Sequence, residues 1–287
     1  MNRILLLLGT GILFASSSSI LIRSAETHPL VTATYRMGMA TLVMLALARI
    51  QHGPLRRVVK GHSPGPILAA GLFLGVHFAS WMTSLSHTSV ASSVLIVDSS
   101  PLLVAVLSYR YLGERLTYRI IAGIFVSMAG ALVIVYNDVM SSTGYLGMAL
   151  AGVGAVCLAC YLVIGRRMRT RMPLLPYVAS VYGVAFLAIL AIAIIAGKGI
   201  APGTNKDIAI YLALALGPSC FGHTVYNHAM KHVSATTVST AIIAEPVGAS
   251  MLAAIFLNEV PTALIVAGGA LILCGIALVA RNPRATT

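Results

Sequence analysis

The chain runs to 287 residues, 58% of them hydrophobic and only 9% charged, with a formal net charge of +12. A typical soluble domain carries roughly 25% charged residues, and without them this much apolar area could be neither hidden nor kept dispersed in water. With a mean hydropathy of +0.93, the composition excludes a soluble enzyme and points to an all-α, polytopic membrane protein.

A transmembrane helix needs about 20 apolar residues to cross roughly 30 Å of hydrocarbon. In chain order the apolar runs predict ten such helices, over 4–22, 30–49, 64–83, 88–108, 118–136, 144–164, 174–196, 208–229, 235–257 and 262–280. That leaves no room for a soluble domain. The runs are too long for the strands of a β-barrel and lack two-residue alternation. The first run follows Arg3 as a signal peptide would, but it continues through Ile20–Ile22 without a small-x-small cleavage pattern and reads as a retained helix.

Charge distribution orients the predicted bundle. With the N-terminus inside, 15 of the 19 Lys and Arg fall at cytoplasmic positions, and only Arg23, Arg36, Lys198 and Lys206 fall on the other side or in the adjacent membrane. This positive-inside bias places both termini in the cytoplasm and supports an even number of spans. The basic charge serves topology and meets the anionic headgroups of membrane lipids, so no nucleic-acid partner is expected.

Residues of metal and covalent chemistry are sparse. Cys157, Cys160, Cys220 and Cys274 all fall in predicted helices, and Cys157-x-x-Cys160 spans one turn with no histidine or second pair nearby in sequence. They read as small buried hydrophobes. His77, His223 and His228 lack a companion at ligand spacing, so no metal or other cofactor is expected. There is no P-loop and no Ser-His-Asp pattern, which argues against an enzyme. Without a nucleotide-binding domain ATP cannot drive the chain directly; no ATPase partner is required, and a monomer is compatible.

An internal repeat organises the chain. At a constant offset of 145 residues, Pro101 aligns with Pro246, Glu114 with Glu259, Thr117 with Thr262, Gly123 with Gly268 and Gly130 with Gly275. This divides the sequence into two five-helix halves, 1–140 and 141–287. Five is odd, so the second half starts on the opposite side of the membrane from the first. Inverted repeats of this kind supply two near-equivalent packings, one open to each side.

Two acidic residues lie far from any predicted helix end. Asp98 stands about 15 Å of helical rise from the end of the fourth helix, and Glu245 about 18 Å from either end of the ninth. A carboxyl at such depth costs several kcal/mol unless hydrated, paired or neutral, so both are candidates to bind a cationic group or carry a proton. Each stands beside a proline, Pro101 or Pro246, whose missing N–H frees a carbonyl. The alternative is a carboxyl hydrogen-bonded across helices to steady the bundle.

Other polar groups join these as cavity candidates. His77, Ser80 and Trp81 lie in the third helix, where His77 and Trp81 share a face. Trp81, the sole tryptophan, reads either as an interfacial anchor or as a stacking surface for a flat solute. The eighth helix offers His223, Tyr226 and Asn227, and the sixth Tyr161. Ser16 and Ser17 open a turn of four serines at mid-depth in the first helix, although serines also bond back to their own helix. Arg36 enters the second helix by about 9 Å, close enough to snorkel outward; pairing with a solute carboxylate is the alternative. Proton coupling, where present, would fall to Glu245, Asp98 and His223.

The ends of the fourth and ninth helices carry the most specific motifs: Pro101 with Leu112-Gly-Glu114-Arg-Leu-Thr117, and Pro246 with Leu257-Asn-Glu259-Val-Pro-Thr262. On these the chain resembles the drug/metabolite transporter superfamily in its ten-helix form, built from two EamA-type repeats, and is most similar to bacterial amino acid exporters, including those of aromatic amino acids. The resemblance covers nearly the whole chain; the second copy departs from the first at Asn258 and Pro261. It implies a bacterial inner-membrane secondary carrier, exporting amino acids or other small metabolites by alternating access. It also implies a central cavity lined by helices 1, 3, 4, 6, 8 and 9, helices 5 and 10 packed peripherally, and structural roles for Glu114 and Glu259. Glu114 would cap a helix or pair with Arg110 or Arg115. The alternatives are a carrier of another metabolite or drug-like solute, and a membrane protein with a purely structural role.

Overall fold

A computed structural model of the protein describes residues 2–141, 144–256 and 262–281. All regular structure among them is helical. In chain order the rods are α1 (Asn2–Ser16, resuming as Ser18–Ser24), α2 (Pro29–His52), α3 (Pro64–Ser84), α4 (Val90–Val97, resuming as Ser100–Leu112) and α5 (Tyr118–Ser141). Then come α6 (Tyr145–Arg169), α7 (Leu174–Ile195), α8 (Asn205–Leu214, Ala215–His223 and Thr224–Ala229, continuous), α9 (Ala235–Ile242, resuming as Glu245–Phe256) and α10 (Ala263–Ala280). Among the described residues eight rods are long and apolar enough to cross a membrane: α1 to α4, α6 to α8, and α10. Large apolar side chains such as Leu6, Leu42, Ile50, Leu187 and Val266 are exposed on the outside of the bundle, as lipid contact requires and water would penalise. The protein is an all-α, multi-pass membrane protein.

Helix starts follow local chemistry. Pro29 and Pro64 occupy first-turn positions where a missing N–H is harmless. Ser89 and Ser234 cap α4 and α9 by accepting from Ser92 N and Thr237 N, each at 3.0 Å. Thr117 and Thr262 accept from Ile120 N and Ile265 N at the starts of α5 and α10. Each pair of caps is 145 residues apart, so the sequence repeat is also a repeat of local structure.

Four rods depart from the continuous helices expected. The sequence predicts one helix over each of 88–108 and 235–257; α4 breaks after Val97 and resumes at Ser100, and α9 breaks after Ile242 and resumes at Glu245. The breaks match to the residue at an offset of 145. In each a tight turn replaces the ladder, Ser99 N bonding Ile96 O and Ala244 N bonding Ala241 O. The cause is Pro101 or Pro246 just beyond, which can donate no hydrogen bond to the carbonyl four residues back. In α1 the break falls at Ser17, where Ser16 and Ser17 hydroxyls bond back to Ile12 O and Phe14 O. In α8, Pro218 widens Ala215–His223 into a π-helix, and the Leu214 carbonyl it frees accepts from Ser219 Oγ.

Packing joins the two halves most closely at α5 and α10. A Cβ placed on Gly123 would lie 2.7 Å from Gly275 O, and one on Gly130 would lie 2.5 Å from Gly268 O. The rods therefore cross antiparallel, at a distance only glycine allows. Between these contacts Ser127 Oγ donates to Ile272 O, its own counterpart at the same offset. At one end of the bundle Glu114, after α4, meets Arg166 of α6 at 3.5 Å and accepts from Ala235 N and Thr236 Oγ1 of α9, each at 3.2 Å. These partners replace the expected Arg110 or Arg115. Glu259, its repeat counterpart, lies outside the described residues.

Candidate functional site

The breaks in α4 and α9 bring two carboxylates to one cavity. Asp98 ends the first piece of α4 and Glu245 opens the second piece of α9, where a helix N-terminus favours negative charge. Around them an inner recess of about 30 Å³ is lined by Ala15 and Ser18 of α1, His77 and Trp81 of α3, and Val94, Val97 and Asp98 of α4, with Leu158 of α6, His223 of α8, and Ile242 and Glu245 of α9 completing it. These are the six helices implied by the family resemblance. A recess of this size holds a water molecule or two.

A wider vestibule of about 300 Å³ adjoins the recess and shares Ala15, Ser18, Trp81, Val94 and Glu245 with it. Ser16, Ser19, Val90, Ile134, Pro246, Ala249 and Ile265 complete its wall. Val90 and Ile265 stand near the starts of α4 and α10, whereas Glu114 follows the end of α4. The vestibule therefore lies toward the end of the bundle opposite the Glu114 contacts, and its volume accommodates a small solute.

The site is polar in a specific way. Glu245 Oε1 accepts from Tyr226 OH at 3.2 Å. His77 Nδ1 meets Gly154 O at 2.9 Å, and the His77 and Trp81 rings lie parallel with centroids 6.0 Å apart. Asn227 Nδ2 donates to Tyr161 OH and to His223 O. Nine buried side-chain nitrogen and oxygen atoms among the described residues lack a hydrogen-bond partner. Six of them belong to this neighbourhood: Trp81 Nε1, Asp98 Oδ2, His223 Nδ1, Asn227 Oδ1, and both Nη atoms of Arg36. A buried polar atom left unpaired costs about 1–3 kcal/mol, so such a concentration is tolerable only where a polar ligand or water is taken up.

Not every candidate reaches the cavity. His77, Trp81, Asp98, His223 and Glu245 line the recess, and Ser16 lines the vestibule. Tyr161, Tyr226 and Asn227 are buried outside both linings; Tyr226 bonds Glu245, and Asn227 bonds Tyr161. Ser80 donates to its own helix at Val76 O. Ser17 bonds Phe14 O and stays outside both linings; the break it occupies turns Ser18 and Ser19 inward instead. Trp81 is buried rather than anchored at an interface.

Arg36 corrects the expectation of snorkelling. It has no exposed surface; Nε donates to Ser219 Oγ at 2.9 Å and Cζ lies 4.2 Å from the Phe78 ring centroid. The signal available in sequence was the arginine's position inside an apolar run, but its partners come from α3 and α8. No group of three or more His, Cys, Asp or Glu fit to hold a metal ion occurs among the described residues.

Comparison with known proteins places this geometry. The EamA-like transporter family matches residues 2–136 and again 145–281. A protein of Streptantibioticus cattleyicolor described as a probable terminal-alkyne amino-acid exporter is 29% identical over 205 residues, which cover 68% of this chain and 66% of that protein, just under two thirds. The pseudopaline exporter CntI of Pseudomonas aeruginosa is 25% identical over 273 residues, 94% of this chain and 93% of its own. One solved crystal structure shares the fold at a TM-score of 0.81 over 96% of both chains, with 22% sequence identity. The chain belongs to the EamA-like transporter family of the drug/metabolite transporter superfamily, and it is a multi-pass membrane carrier of small solutes, not an enzyme.

Proposed function

We propose that the protein exports small, partly apolar amino acids, aromatic ones among them, from the cytoplasm of a bacterial cell by alternating access. In this reading ten helices cross the inner membrane as two inverted five-helix repeats, 1–140 and 141–287, with both termini cytoplasmic. The support for inversion is the crossing of α5 and α10. Gly123 is equivalent to Gly268 and Gly130 to Gly275, so the contact of Gly123 with Gly275 maps onto that of Gly130 with Gly268. An antiparallel pair exchanged in this way is related by a two-fold axis perpendicular to both rods, hence in the membrane plane.

The observation that carries the function is the cavity itself: two carboxylates at repeat-matched helix breaks line one recess beside the unpaired Trp81 Nε1 and His223 Nδ1, and Glu245 also faces the vestibule. Glu245 and Asp98 hold the solute's ammonium group, while Trp81, His77 and the apolar wall hold its side chain. A carrier must also release its solute, so sparse polar anchors in an apolar pocket suit it. With the Glu114 contacts drawn together on the cytoplasmic side, the arrangement corresponds to the outward-open state. Glu245, Asp98 and His223 offer sites for an exchanged proton. Both named relatives are described as exporters, which supports that direction.

Counterflow in liposomes tests the reading. Labelled leucine or phenylalanine is expected to accumulate in vesicles preloaded with the unlabelled amino acid, and to do so far less with Glu245→Gln. A flat response to every amino acid tried would overturn the proposal. Repeating the assay at several pH values tests proton coupling: a pH dependence unchanged in both Glu245→Gln and Asp98→Asn would remove that part alone.

A further inference from the structure

The cavity accounts for two negative charges in the membrane interior but leaves one positive charge unexplained. Arg36 has no exposed surface, and an arginine at such depth is costly unless its guanidinium is paired or hydrogen-bonded. Among the described residues the ion pairs are Glu114 with Arg166 and Glu26 with Lys206, neither involving Arg36. Its Nε is taken by Ser219 Oγ and one face of the guanidinium by Phe78, while Nη1 and Nη2 have no partner. Those two atoms form an edge that matches a carboxylate in a two-point hydrogen bond.

The mount is built, not incidental. Pro218 opens α8 into the π-helical stretch that presents Ser219. The Ser219 carbonyl accepts from Tyr182 OH at 2.9 Å and Thr224 Oγ1 at 3.2 Å, while Ser219 Oγ donates to Leu214 O as it accepts from Arg36. These bonds fix Ser219, which with Phe78 holds the guanidinium in place. Phe78 also meets His223 edge-on at 5.1 Å between centroids, and His223 lines the recess that contains Asp98 and Glu245. Arg36 itself lines neither cavity, and Phe78 links it to the recess through His223.

We infer that Arg36 is the carboxylate-binding residue of the solute site, Nη1 and Nη2 gripping the carboxylate of an α-amino acid whose ammonium group lies on the Glu245 side. This rests on the carrier reading above and makes it specific: the preferred solute carries both charges, and an amine or an esterified amino acid is a poorer ligand.

The test is ligand-induced stabilisation of the purified full-length protein in detergent, read as melting temperature against concentration. Leucine and phenylalanine are each compared with their methyl ester, which lacks the carboxylate charge, and their N-acetyl form, which lacks the ammonium. Wild type is expected to bind each free amino acid at least tenfold more tightly than its ester. In Arg36→Gln the preference over the ester disappears while that over the N-acetyl form survives, and Ser219→Ala lowers the ester discrimination several-fold. Wild-type protein that binds acid and ester equally overturns the inference, needs no variant to fold, and leaves the carrier reading standing. An Arg36→Gln protein that keeps the wild-type ratio also overturns it. Failure of the carrier reading looks different: no amino acid, free or modified, stabilises the protein or exchanges in liposomes.

Discussion

Two carboxylates on α4 and its exit, sixteen residues apart, sit in opposite circumstances. Glu114 is engaged at both oxygens, by Arg166, Ala235 N and Thr236 Oγ1, and so ties the first half of the chain to α6 and α9. Asp98, at the break in the same rod, is more fully removed from water yet leaves Oδ2 with no partner. A carboxylate with three partners is explained by the structure it holds. One that lines a cavity with an oxygen left unpaired is explained by something that arrives. The comparison separates acids that build the bundle from acids that wait for a ligand, and it predicts which measurement each will move.

The sharpest break in that comparison comes from neutralising the cavity acids. Glu245→Gln and Asp98→Asn are each expected to lower amino-acid counterflow by on the order of 10- to 100-fold, the worth of one charged hydrogen bond. Their melting temperatures should stay close to wild type, because neither acid holds an ion pair. A large fall in stability with counterflow intact would reverse the assignment.

Glu114→Ala should do the opposite. Removing it leaves Arg166 facing Met230 O alone and Ala235 N at the start of α9 without its acceptor, a loss of about 2–3 kcal/mol in unfolding free energy. Thermal unfolding in detergent checks this, with Arg166→Ala as the partner variant. If the two losses add fully in the double variant, the Glu114–Arg166 contact is not the one that matters.

How much of this was legible in the sequence depends on whether a partner lies near in the chain. The helix starts at Pro29, Pro64, Ser89 and Ser234 carry their own signals, and the depth of Asp98 and Glu245 follows from counting turns. Pro101 and Pro246 announced a disturbance, but its site several residues upstream depends on which carbonyl loses its donor. Pro218 was the matching signal for the π-helix in α8, and without neighbours it reads only as a kink. The side of α1 that faces inward was illegible because the break at Ser17 resets the helical phase. Arg36 was the widest miss: Phe78 and Ser219 lie far along the chain, and only their convergence makes burial of a guanidinium tolerable.

The seam between α5 and α10 offers a smaller, purely steric effect. In Gly130→Ala the new Cβ would lie 2.5 Å from Gly268 O, a contact that backbone can relieve only by separating the rods. About 1–3 kcal/mol of stability should be lost, with the solute preference unchanged. Gly152→Ala is the control, since nothing lies within 4 Å of a Cβ there.

The smallest effect tests whether Glu114 acts on α9 as a helix start rather than as a charge alone. Ser234 Oγ accepts from Thr237 N while Glu114 accepts from Ala235 N, so two anchors share the first turn. Ser234→Ala should cost about 1 kcal/mol. Combined with Glu114→Ala it should cost more than the sum of the two, by about 0.5 kcal/mol or more, because the turn then has neither anchor. Ser89→Ala removes the equivalent cap from α4, at the far end of the bundle from Glu114, so its loss should simply add to that of Glu114→Ala. Equal coupling of Glu114 to both serines would mean that the carboxylate acts through the whole fold and not through the α9 terminus.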